Sequence, residues 1–202
     1  MPNVSIAAGP AATGTDDRNV NGNAIALTVF SAVKWWGRIE LPAFVEVLRR
    51  RRNSLGALKQ LSFIHAARWS LFSEIPYNGP PQPQRRLQSA HLYFESNFNG
   101  GWEEYIDAFS YVLKTGMWGF WGSSFGFPGA LPSGPFKDYI RANAIDASHY
   151  YAAYPDATAT TVLAALKVEP RLERLKWQAT WMTPDEFAAA WRAFLIETQP
   201  AL

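Results

Sequence analysis

In the segment AHLYFESN (90–97), His91, Tyr93, Glu95 and Asn97 stand at every second position. On a β-strand that spacing puts all four on one face and leaves Leu92 and Phe94 on the other. An imidazole, a phenol and a carboxylate side by side are groups for moving protons. A carboxylate on a cavity-facing strand can have its pKa raised and work as a general base, and imidazole titrates near neutral pH. His91 and Glu95 are therefore catalytic candidates, while Tyr93 and Asn97 are candidates for holding a substrate. A packed histidine, and an asparagine that belongs to the Asn99-Gly100 turn, are the plain alternatives.

His65, in LSFIHAARWSLF (61–72), is the third catalytic candidate. His65 and Arg68 fall on opposite faces of a strand unless a bulge intervenes, so His65 shares a face with Phe63 and Trp69. Arg68 can meet Glu95 if the two strands are neighbours. It then serves as a structural ion pair, or as a clamp for an anionic substrate group or a haem propionate. His149, in SHYYAAYP (148–155), joins the substrate-binding set. The tyrosines that follow it either pack or donate to a developing oxyanion. Trp118, Trp121 and Phe125 lie in the glycine-rich segment 116–129, which reads either as a lid on an apolar pocket or as an oligomer contact. That segment lacks the Lys-Ser/Thr ending of a phosphate-binding loop. The chain has no cysteine and no HxH or HExxH pattern, so no metal site is expected from local sequence.

The elements that must position these groups follow from periodicity. A first strand at 24–34 carries Leu27, Val29 and Val33 on one face and Thr28, Phe30 and Lys34 on the other. Leu41, Phe44, Val45 and Leu48 then fall at helical spacing, with Pro42 tolerated in the first turn. Strands at 61–72 and 90–97 follow, then a helix that buries Trp102, Tyr105, Ile106, Phe109, Val112 and Leu113. A fourth strand is expected at 148–155, with Asp156 capping a helix in which Val162, Leu163 and Leu166 are apolar. Thr183 and Glu186 form a capping box with Pro184 at the first helical position, opening a last helix to about residue 198.

This order predicts an α+β fold, the ferredoxin-like βαββαβ arrangement, with extra helices. Its four-stranded antiparallel sheet would run 4-1-3-2 with helices on one face. The expected division is a mobile tail at 1–23, the α+β domain at 24–180, and a C-terminal helix at 181–202 packed on the domain or a partner. Strands two and four would be the sheet edges. Strand two is long and apolar, with neither Pro nor Lys, so a homodimer that closes a barrel through these edges is expected.

Composition narrows the partners. The chain has 202 residues, 48% of them hydrophobic and 18% charged, and a formal charge of +2. That charge is too small to argue for nucleic acid. The basic run from Arg49 to Arg52 suits the end of a helix, where cations oppose the dipole. No continuous apolar run suggests a transmembrane segment or signal peptide, so a cytoplasmic protein is expected. Aromatic content is 15%, with nine tryptophans. Such rings serve a core, an interface, or a cavity for an apolar or aromatic small molecule.

The segments LSFIHAARW, HLYFESNFNGGWEEYIDAF, MWGFWGSSFGFPGALPSGPFKDYI and HYYAAYP together resemble a group of uncharacterised bacterial proteins. Those proteins carry motifs of the form HFARW, FESNFDG, WG…GFPG and YxAYP, and the match spans about residues 24 to 170. In topology the pattern is similar to the dimeric α+β barrel superfamily. That superfamily includes dye-decolourising haem peroxidases, chlorite dismutase-like haem proteins, cofactor-free quinone-forming monooxygenases, polyketide cyclases and small stress-response proteins. The resemblance implies an oxidoreductase-like enzyme on an apolar or aromatic substrate, with haem or cofactor-free chemistry. Its alternative is a non-catalytic ligand-binding or assembly protein. The GxxDG motif of the dye-decolourising peroxidases is absent.

Overall fold

The computed structural model describes residues 17–50 and 61–199. They belong to two compact units, Met1–Asp156 and Ala157–Leu202. The first is α+β, built on a four-stranded antiparallel sheet of β1 (Val20–Asn21), β2 (Ala24–Val33), β3 (Ile64–Glu74) and β4 (Arg86–Phe98). The strands lie in the order β1-β2-β4-β3. Around it run α1 (Gly37–Arg50), α2 (Trp102–Val112), α3 (Lys114–Trp121) and α4 (Ser133–Asn143).

β4 sits in the middle and is paired on both sides. Glu95 is opposite Thr28 of β2 and Arg68 of β3, and Tyr93 is opposite Phe30 and Ser70. The alternation of its residues is kept without a break from Ala90 to Phe98, in which buried and half-buried side chains take turns. The buried set, Leu92, Phe94 and Phe98, joins Leu27, Val29 and Val33 of β2 in the core. Over that face α2 brings Trp102, Tyr105, Ile106 and Phe109, and α4 brings Phe136, Tyr139 and Ile140. Val112 is 38% exposed, whereas Leu113 is partly buried against the core.

Two expectations about the outer edge of β2 are corrected by the structure. Residues 148–155 form no strand. The outer edge of β2 is served instead by three short pieces: β1 pairs with Ala24 and Ile25, Ala144 bridges Val29, and Ser124 bridges Val33. The chain therefore returns from α4 to the expected edge but leaves it after one bridge. There Asp146 is drawn to Asn19, whose Nδ2 donates to Asp146 Oδ1 at 2.8 Å, and to Arg18 at 3.2 Å. The same contacts order residues 17–23, which were expected in a mobile tail; residues 1–16 lie outside the described residues.

The first part of the glycine-rich segment, residues 116–121, is helical and belongs to α3. Met117, Phe120 and Trp121 form an apolar stripe in α3 and are buried. Packing overrides the low helix propensity of glycine, and Gly119 is there for close approach. A Cβ at Gly119 would lie 2.2 Å from Phe44 Cζ of α1. In α1, Arg49 and Arg50 pair with Glu46 at 3.3 and 2.9 Å, whereas Arg51 and Arg52 are outside the described residues.

The second unit is a hairpin of α5 (Ala159–Ala179) and α6 (Pro184–Thr198). α5 is capped by Thr158, whose hydroxyl accepts from the Thr161 amide at 3.0 Å, rather than by Asp156. Its apolar residues Val162, Leu163 and Leu166 are exposed. α6 opens on the expected capping box, Thr183 with Glu186, and Pro184 in the first turn. Since α5 pairs with α6, the boundary expected at 180/181 falls inside this unit.

Phe94 is 2% exposed and its ring meets those of Trp69, Phe109 and Trp121. Phe94→Ala should cost on the order of 3–5 kcal/mol, as removal of a buried ring does. Tyr93→Phe, on the other face, should be mild. Urea midpoints in the reverse order would contradict the assignment of the two faces.

Candidate functional site

The half-buried face of the sheet collects the polar residues of β4. His91, Tyr93, Glu95 and Asn97 alternate with the buried set. Register then adds Phe30 and Thr28 from β2, and Arg68, Ser70 and Phe72 from β3. Pairing sets these neighbours: residues directly opposite on antiparallel strands share a face.

At the centre is a three-residue cluster. Arg68 Nη2 donates to Glu95 Oε2 at 2.7 Å and reaches Tyr93 Oη at 3.5 Å. The Tyr93 hydroxyl donates to the same Glu95 oxygen at 3.0 Å. The guanidinium also lies over the Tyr93 ring, 5.2 Å from its centroid. The Tyr93 hydroxyl first, and the Glu95 charge second, hold Arg68 more firmly protonated than usual. Arg68 and Glu95 are 64% and 34% exposed, and an ion pair so open to water adds little stability.

Aromatic rings flank the cluster. His91 stacks on Phe30 with centroids 4.5 Å apart and planes 8° apart, and its Nδ1 is 3.0 Å from Ser89 O. Phe72 sets its edge against Tyr93 at 5.8 Å and lies 6.4 Å from Phe30. Beside the cluster is a shallow recess of about 200 Å³ lined by Ala66, Ala67, Arg68, Glu95 and Asn97. Small-molecule pockets are generally about 300 Å³ or more, so the recess needs cover before it can enclose a ligand.

The remaining expected residues are dispersed. His65 is the extra residue of a bulge between Ile64 and Ala66 and is exposed. The bulge changes the parity of the strand, so the face shared with Trp69 is occupied by Ala67 and Leu71 instead. His149 is exposed on the irregular segment 148–155. Trp121 is 1% exposed and meets Phe94 edge-on at 5.1 Å, which puts it in the core on the opposite side of the sheet from Glu95. Trp118 is 54% exposed on α3 and packs against Phe127. Phe125 follows the Ser124–Val33 bridge, and its amide donates to Ala32 O at 2.8 Å. By alternation Phe125 belongs at the margin of the open face, as does Ile145 opposite Thr28.

Phe72 is a site residue that the sequence pattern did not indicate, and Tyr150 is one of the tyrosines weighed for packing or donation. Phe72 was legible only through strand register. Tyr150 is half-buried, and its phenol is raised above the usual value, first by burial and second by the Glu95 charge.

Haem can be tested against this geometry. His91 has an Nε2 left over by its contact to Ser89, but the recess that holds Arg68 and Glu95 is lined by no histidine and is too shallow for a porphyrin. The residues do not fit the group there, and no step is drawn through it. Among the described residues no cluster of three His, Asp or Glu side chains could hold a metal ion.

Replacing Glu95 by Gln should lower the Tyr150 pKa, because a negative charge that opposes phenolate formation is removed. The value should stay above the ordinary one, since burial persists. Ring-labelled tyrosine followed by NMR through alkaline pH reads this directly, and an unmoved Tyr150 would place it away from the cluster.

No family model, curated protein or solved structure matches this chain.

Proposed function

We propose that the open face of the sheet receives an apolar or aromatic small molecule that carries an anionic or polar group. The observation that carries this reading is the Arg68–Tyr93–Glu95 cluster among the stacked and edge-on rings of Phe30, His91 and Phe72. Rings bind a flat apolar body, and a guanidinium fork binds a carboxylate or similar group.

As an enzyme, the protein would be oxidoreductase-like, in line with the α+β barrel resemblance. Glu95 would take a proton from bound substrate through its second oxygen, with Tyr93 as the adjacent hydroxyl. A second copy would supply the cover that the recess lacks, as a cytoplasmic homodimer closing a barrel. The outer edge of β3, unpaired among the described strands, supports that assembly. One observation favours the non-catalytic alternative. Glu95 Oε2 already accepts from both Arg68 and Tyr93, a satisfied arrangement that suits binding without turnover.

Titration with 1-naphthoate, followed by tryptophan fluorescence, tests the face. Arg68→Ala should weaken binding about tenfold or more, the loss of a charge-assisted hydrogen bond. An unchanged affinity would dismiss the site. Oxygen uptake with a panel of hydroquinones and phenolic carboxylates separates enzyme from binding protein. Turnover lost in Glu95→Gln supports catalysis, whereas binding without uptake supports the alternative.

A further inference from the structure

α5 and α6 are joined by a tight turn and lie side by side, and two such helices normally bury a seam of apolar side chains. Here, past the first residue Ala159, Ala164, Val168, Leu172, Leu175 and Ala179 are the least exposed residues of α5. Beside that stripe runs a groove lined on α5 by Lys167, Pro170, Arg171, Arg174, Leu175 and Gln178. Leu175 is buried, while Leu163, Leu166 and Trp177 of the same helix point outward and are exposed. α6 answers with two small residues, Ala190 and Ala193, then Phe194 and Glu197. Long cations opposite alanines leave a groove of about 580 Å³, within the range of small-molecule sites.

Its charge is one-sided. Arg171 is engaged: its Nε donates to Glu197 Oε1 at 2.6 Å and its Nη1 to Lys167 O at 2.8 Å. Lys167 and Arg174, about one turn to either side on the same stripe, make no ion pair among the described residues. The groove thus offers cations along one wall and an apolar floor of Leu175, Ala190, Ala193 and Phe194. The described hairpin as a whole carries five basic residues (Lys167, Arg171, Arg174, Lys176, Arg192) and five acidic ones (Glu169, Glu173, Asp185, Glu186, Glu197). It therefore lacks the positive surplus that draws helices to anionic bilayers.

We propose that this groove binds a single-chain amphiphile with a carboxylate head, of the fatty-acid class. Arg174 and Lys167 hold the carboxylate, and the alkyl chain lies over Leu175, Phe194 and the two alanines. The site lies entirely within the second unit and shares no residue with the sheet face.

Calorimetric titration of the full chain with laurate, kept below its micelle concentration, tests this. Saturable one-to-one binding is expected, with dodecanol and dodecyltrimethylammonium at least about tenfold weaker. Arg174→Gln should weaken laurate about tenfold, Arg174→Lys should restore most of the affinity, and Arg68→Ala should leave it unchanged. Ala193→Trp, which fills the groove, should abolish binding while circular dichroism keeps its helical signal. Should that variant unfold, the exposed Arg174 substitutions decide alone. Any of four results overturns the proposal: no binding of laurate, equal binding of dodecanol, loss in Arg68→Ala instead of Arg174→Gln, or binding to phosphatidylglycerol vesicles without binding of monomeric laurate.

Discussion

The first unit depends on β4 being paired on both sides. A central strand cannot slip by one residue without turning every side chain over, and here both neighbours hold the register. Leu92, Phe94 and Phe98 must then go under α2, α3 and α4, and Tyr93, Glu95 and Asn97 must go to the other face. The Arg68–Glu95 contact needs no loop to arrange it. It follows from two residues being directly opposite on adjacent strands, with a neighbouring phenol whose position is set by the same pleat.

That constraint also separates the two roles of the aromatic residues. Trp69, Phe94, Phe109, Phe120 and Trp121 form a continuous set of ring contacts on the covered side. Phe30, Phe72, His91 and Tyr93 form a second set on the open side. The pleat places each ring of the strands on the covered or the open side.

What the sequence revealed and what it hid divide along the same line. The period-two pattern of AHLYFESN was strong enough to place each side chain of β4, and the antiparallel neighbours β2 and β3 followed from chain order. The capping box of α6 is purely local chemistry and was readable as such. The bulge at His65 was not, because an extra residue leaves no periodic mark and depends on how β3 meets Phe98 and Asn97. α3 was hidden by its glycines, of which Gly119 is explained by the ring of Phe44 on a different helix. The stretch HYYAAYP has strand-like residues, yet the edge it would occupy is already shared among β1, Ala144 and Ser124. Tertiary competition of this kind cannot be seen in a window of eight residues.

The divided edge of β2 has a mechanical consequence. A continuous fourth strand would tie the whole rim of the open face to the sheet as one rigid hem. Here the rim is stitched at separate points by segments far apart in the chain, with Phe125 beside one stitch and Ile145 beside another. Two of the stitches are tied to each other, since Asp146, just past the Ala144 bridge, accepts hydrogen bonds from Asn19 and Arg18 beside β1. The border of the open face is thus held by side chains as well as by backbone, whereas its floor is held by the unbroken pairing of β2 on β4.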